Sequence, residues 1–147
     1  MTINEARAAI MLRVLNSGFA PTDRIDLGSG GPTFEIPDVS VSVWGRLSVR
    51  FNLNPQQTLG GNGVPVKFRR IGIATVQVFT PINNGEYSND EACQVVESAF
   101  IKQTGDTPLQ YGGVPAGGDI RIESVGRDGV WFQQNVIIPF SFETCVV

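Results

Sequence analysis

Phe68-Arg69-Arg70-Ile71-Gly72-Ile73-Ala74-Thr75-Val76-Gln77-Val78-Phe79-Thr80-Pro81 decides the fold of this chain, because from Ile71 to Phe79 apolar and β-branched residues fall on both parities. Such a strand is expected to be covered on both faces, which makes it the central strand of a sheet. A basic pair leads into it. Pro81, which has no amide hydrogen for a ladder, marks its end.

The segments to either side are read against this strand. Upstream, Val41, Val43, Leu47, Val49 and Phe51 alternate with Ser42, Trp44, Arg46, Ser48 and Arg50, the pattern of a half-buried strand with Trp44 on its polar face. The two strands are most simply antiparallel neighbours, yet residues 54–65 between them are far longer than a tight hairpin needs. That loop reads either as a functional contact or as a flexible connection. Downstream, Asn83-Asn84-Gly85 turns the chain and Ser88-Asn89-Asp90-Glu91 has the form of a capping box, followed by Ala92, Val95, Val96, Ala99 and Phe100 at helical spacing with Gly105 beyond.

At the N-terminus, Thr2-Ile3-Asn4-Glu5 is a second capping box. It opens a helix whose stripe is Ile3, Ala6, Ile10 and Val14, widened by Ala9, Leu12 and Leu15, with Gly18 past its end. Residues 19–37 hold too many Gly and Pro for regular structure and form a connector, in which Phe34 and Ile36 suit a short extended segment. Towards the C-terminus, residues 109–114 and 119–125 are short strand candidates, and Gly126-Arg127-Asp128-Gly129 is a hairpin turn. Val130, Phe132, Gln134, Val136, Ile138, Phe140 and Phe142 then alternate, with Pro139 suggesting an edge or a bulge. The fold class is therefore α+β: one domain over 1–147, a mostly antiparallel sheet of four to five strands with two main helices packed on it.

Composition bounds the function. Charged residues make up 17% of the 147, against roughly 25% in an average soluble domain, so part of the surface is expected to be covered, for example by copies of the same chain. A net charge of -3 and a pI near 4.8 argue against a nucleic-acid-binding module. With mean hydropathy of +0.03, no apolar run near 20 residues and no signal-peptide pattern, a soluble chain made in a cytoplasm and making no membrane contact is expected. The absence of histidine removes imidazole catalysis and the usual zinc sites, and Cys93 and Cys145 read as two buried thiols rather than a disulfide. No nucleophile elbow, phosphate loop or metal spacing occurs, and Glu86, Asp90, Glu91 and Glu97 are explained by capping and solvation of the second helix. Neither an enzyme nor a cofactor is expected.

What remains is surface. Arg69 and Arg70 point to opposite faces of their strand, which fits one surface charge and one ion pair, or a salt bridge to a neighbouring subunit. Trp44 serves either as cover for a helix or loop or as an interface anchor, and Arg46 on the same face favours the anchor. The strand edge at Val130 to Phe142 is a further interface candidate.

Taken in order, Phe68-Arg69-Arg70-Ile71-Gly72, Val76-Gln77-Val78-Phe79 with Pro81, Gly85, a helix ending near Phe100, Leu109 with Gly112-Gly113-Val114, Asp128-Gly129-Val130-Trp131-Phe132 and Val136-Ile137-Ile138-Pro139-Phe140 resemble the phage tail-terminator-like proteins. The likeness spans nearly the whole chain, and Phe34, Pro37, Trp44 and Arg46 fit the family's first strand. It implies a homohexameric ring in the virion at the tail-neck junction, assembled in the host cytoplasm. The ring would cap the tail tube, stop its polymerisation and offer a surface to the head-completion or connector protein. DNA would slide through an acidic lumen without specific binding. Under the resemblance Gln56, Gln57, Leu59 and Asn62 in the long loop become candidates for contact with the tail tube protein or an adjacent subunit, beside Trp44, Arg46, Arg69 and Arg70. It brings no catalytic residue, cofactor or metal. The rival readings are a head-tail joining protein, a tail tube subunit or, from another class, a small-ligand-binding domain.

Overall fold

In the computed structural model of the protein, residues 1–28, 34–38, 43–53, 66–102, 108–113 and 116–146 are described. The loop 54–65, with Gln56, Gln57, Leu59 and Asn62, lies outside them, as do Val41 and Ser42.

The sheet is built on one ladder. Strand β3 (Val66–Pro81) pairs antiparallel with β6 (Trp131–Val146) over sixteen residues, from Val66↔Val146 to Pro81↔Trp131, without a register shift. On the other side of β3 lies β2 (Trp44–Leu53), also antiparallel, with Trp44 opposite Phe79 and an irregularity only at its far end. The two-residue β1 (Ile25–Asp26) adds to β2 in parallel at Gly45 and Arg46. The outer side of β6 is shared by β4 (Gln110–Tyr111) and β5 (Arg121–Asp128), both antiparallel. The expected α+β architecture is present, its six strands including two of only two residues.

Two expectations about the strands are corrected. The β6 segment is no edge, since it has partners on both sides; Val130 to Phe142 therefore offers no free ladder to a neighbour. Pro139 is tolerated there because β5 stops opposite Ile137 and β4 starts opposite Phe140. The Pro139 carbonyl accepts from the Gly112 amide at 2.7 Å, and its hydrogen-less nitrogen turns to the same side, into the gap between β5 and β4. The second correction concerns β3: among the described residues, helices cover only one of its faces. Gly72, Ala74, Val76 and Val78 are buried, whereas Ile71, Ile73, Thr75 and Gln77 on the other face are half-buried.

Helix α1 (Ile3–Asn16) begins as its sequence suggests, with the Glu5 amide donating to Thr2 Oγ1 at 3.1 Å and the Thr2 amide donating to Glu5 Oε2 at 3.0 Å. Ala6, Ile10 and Val14 are fully buried one turn apart, but Leu12, assigned to the stripe, is 59% exposed. Helix α2 (Gly85–Ile101) starts one turn before the expected cap at Ser88. The 3-10 turn Ile82–Asn84 feeds straight into it, so Ser88 lies inside the helix. Asn89 then sets its rotation. This fully buried side chain donates from Nδ2 to the Val78 carbonyl at 3.1 Å, Thr80 Oγ1 at 3.1 Å and the Phe132 carbonyl at 3.0 Å. Its Oδ1 accepts from Gln134 Nε2 at 3.1 Å and Cys93 Sγ at 3.3 Å. With Asn89 turned inwards, Ala92, Cys93, Val96 and Phe100 meet the sheet and Val95 is left 40% exposed.

The core lies between α1, α2 and this one sheet face, where Leu47, Ala74, Val76, Val78, Val136, Ile138, Phe140 and Phe142 meet the helices. Two strand glycines make room for rings: a Cβ on Gly45 would stand 2.5 Å from the Phe19 ring, and one on Gly72 would stand 2.5 Å from the Phe140 ring and press on the Arg50 carbonyl. Gly72→Ala should therefore cost about 2 kcal/mol through overpacking, seen as a lower urea midpoint at unchanged slope. Asn89→Ala leaves its buried partners unsatisfied and should cost about 3 kcal/mol in the same measurement.

Candidate assembly surface

The sheet face away from the helices is a polar field with an apolar middle, and the ladder registers order it in rows. Arg46, Gln77, Asn135 and Glu123 stand abreast, then Ser48, Thr75, Ile137 and Arg121, then Arg50, Ile73 and Pro139. One end is closed by a second apolar cluster, Trp44, Phe79 and Trp131, with Phe34 of the connector packed on it. Trp44 stacks on Phe79 at 4.1 Å between centroids and on Phe34 at 5.6 Å, and meets Trp131 edge-on at 5.8 Å. It is 2% exposed, so the described side chains use it as cover for the connector and leave no free ring to anchor a neighbour. Its indole Nε1 is buried without a hydrogen-bond partner among the described residues.

The arginines proposed from sequence are spread over this structure. Arg46 places its guanidinium 5.6 Å from the Trp44 ring and donates from Nε to Asp26 Oδ2 at 3.1 Å, its side chain 41% exposed. Arg69 forms an ion pair with Glu143 at 3.7 Å across the β3–β6 ladder. Arg70 lies opposite Phe142, on the helix-covered face, so the two neighbours do point apart as strand geometry requires. Trp44 and Arg46 are thus brought together, Arg69 sits at the far end of β3, and Arg70 is on the other side.

Sequence reading passed over a different group. Beyond Asp26 the chain leaves the sheet, and from Leu47 onward the outer side of β2 has no strand beside it among the described residues. A groove of about 550 Å³ runs there, lined by Arg7, Met11, Leu27, Gly28, Arg46, Leu47, Ser48 and Val49. Arg7 also lies 5.3 Å from the Phe51 ring, and Arg50 follows on the same strand with no ion-pair partner among the described residues. Arg7, Arg46 and Arg50 are therefore three cations along the outer edge of β2. Only the fold brings Arg7 of α1 to β2.

The helix over β3 and β6 is acidic. Helix α2 carries Glu86, Asp90, Glu91 and Glu97 and no basic residue. Its exposed side also presents Tyr87, 73% exposed, and Val95. The Tyr87 hydroxyl donates to the Glu91 carboxylate one turn on, and that bond, with the charge itself, holds the phenol above its ordinary pKa. Behind them, burial first and then the charges of Asp90 and Glu97 push the Cys93 thiol up to about 12. The Cys145 side chain lies outside the description.

Among the described residues no group of three His, Cys, Asp or Glu side chains is placed to hold a metal, and no helix is long and apolar enough to cross a membrane. No family model matches this chain, and no curated protein matches it either.

The thiol is a test of the core. In a Cys145→Ser background, alkylation of Cys93 at pH 8 should run about a thousandfold slower in the native protein than in urea, since its thiolate is suppressed by that factor. The folded pKa is raised, so the fold holds the proton more tightly than the unfolded chain. Stability should accordingly be unaffected below the ordinary thiol pKa of 9.0 and fall as pH rises above it, a dependence that Cys93→Ala removes in urea titrations.

Proposed function

We propose that the protein is a structural, non-enzymatic virion component of the tail-terminator type, which forms a ring, caps the tail tube, ends its polymerisation and presents a surface for head joining. One observation carries the reading: among the described residues the sheet is a single layer with helices on one side only. Its other face, from Arg46 and Ser48 to Ile73 and Ile137, is left half-buried or exposed. A chain with few charges and an uncovered sheet face suits life beside copies of itself. The order of motifs from Phe68 to Phe140 supplies the resemblance that makes the partner a tail tube. A closed ring needs two different surfaces on each subunit, and the basic β2 edge and the acidic α2 lie on different elements, with α1 packed against both.

In this reading the net charge of -3 keeps passing DNA from adhering, and contacts with tube and connector fall to the ring's two ends. The second reading, a tail tube subunit or head-tail joining protein, draws on the same uncovered sheet face. Phage lacking this protein separates them. A missing terminator should give overlong or unjoined tails in negative-stain images, restored to normal length by the protein in trans. Absence of tails altogether would assign it to the tube, and normal tails without heads to joining alone.

A further inference from the structure

We infer that copies of this chain associate head to tail, the exposed face of α2 on one copy seating in the groove along the outer edge of β2 on the next. The inference deepens the ring reading above and rests on it for its biological setting, but its evidence is separate.

Charge is the first argument. Arg7 and Arg46 line the groove and Arg50 follows Val49 on the same strand, while among the described groove-lining side chains there is no carboxylate and the nearby Asp26 is already held by Arg46. The face of α2 carries Glu86 and Glu91 with no cation inside the helix. These are the complementary halves of one contact, since opposite fields steer and register association while like fields oppose it. The groove would repel a second groove and α2 a second α2, so each patch is expected to meet the other, and the head-to-tail form of that contact is the one a ring requires.

Shape and hydrophobicity agree. Met11, Leu27 and Val49 are partly buried hydrophobic side chains that line the groove. Across the contact, Tyr87 and Val95 stand two turns apart on α2 with Glu91 on the turn between them, so the exposed face offers an aromatic and an aliphatic side chain on either side of an acid. Interfaces of this kind have an apolar centre and a charged rim. Placement is the third argument. Helix α1 packs on β2, while α2 packs on β3, β6 and β5, so α1 separates the two surfaces. One chain can thus use both at once, which a repeating contact demands.

The test is a charge exchange. Arg7→Glu with Arg50→Glu reverses the groove, and Glu86→Lys with Glu91→Lys reverses the helix; all four residues are exposed, and circular dichroism checks each fold. Arg50→Glu alone serves if the double groove variant does not fold. By sedimentation and light scattering, each variant alone should need about tenfold or more higher concentration than the unaltered chain to associate. An equimolar mixture of the two should recover association, because every α2 then meets a groove of opposite charge. Association of either variant at the unaltered concentration overturns the inference, as does a mixture that stays monomeric, or an unaltered chain monomeric at about 1 mM, the weakest range of specific binding. Tube capping by the same preparations keeps the two readings apart. Capping that survives charge reversal removes this contact and leaves the terminator reading, whereas recovered association with no capping removes the terminator reading and leaves the contact.

Discussion

The unbroken pairing of β3 with β6 is the constraint on which the rest of the molecule depends. Because side chains alternate strictly along a strand, sixteen residues in one register decide which atoms face the helices over the full width of the sheet. A slip of one position would turn Ala74, Val76, Val78, Val136 and Ile138 outwards and bring Gln77 and Asn135 into the core. The ladder stays straight even at Pro139, where the missing amide hydrogen coincides with the gap between β5 and β4. Paired on both sides, β6 is withdrawn from any role as a sheet edge.

On that frame the helices are located by polar as well as apolar contacts. Asn89 reaches carbonyls on β3 and β6 together and takes a hydrogen bond from Gln134, tying α2 to both strands of the ladder. A buried amide with all its partners in place is directional in a way that hydrophobic contact is not, and it fixes the helix about its own axis. One outcome is the segregation of α2 into a buried side of Ala92, Cys93, Val96 and Phe100 and an outer side of acids with Tyr87 and Val95. The same rotation that builds the core builds the acidic flank.

The uncovered sheet face is organised differently at its two ends. Near Trp44 the connector folds back through Phe34 and an aromatic stack excludes water; further along, Ser48 and Arg50 are exposed and Thr75 between them is half-buried. Cations gather at the outer side of β2 because α1 lies over that strand and brings Arg7 to it. Function of the kind proposed here needs no reactive group, only surfaces that differ from one flank to the other.

Much of this was legible in the residues themselves, because it depends on local periodicity. The Thr2–Glu5 cap, the alternation from Leu47 to Phe51, the double-sided apolar run of β3 and the opposite directions of Arg69 and Arg70 all follow from backbone geometry over a few residues, whereas the hairpin turn expected over Gly126–Gly129 falls at Gly129-Val130, because Gly126, Arg127 and Asp128 stay paired with β6 inside β5. Which strands flank which does not. The interior place of β6, the solvent side of β3 and the early start of α2 depend on contacts between segments far apart in the chain, as the Asn89 bonds to Val78 and Phe132 illustrate. Trp44 makes the same point: period two put it on the polar face, and only the folded chain brought Phe34, Phe79 and Trp131 around it. The sequence alone therefore determined the class of fold and the absence of histidine chemistry, since local pattern and composition carry both. Tertiary structure alone decided which surfaces are free and which charges they share, because burial and electrostatic neighbourhood are properties of non-local contact.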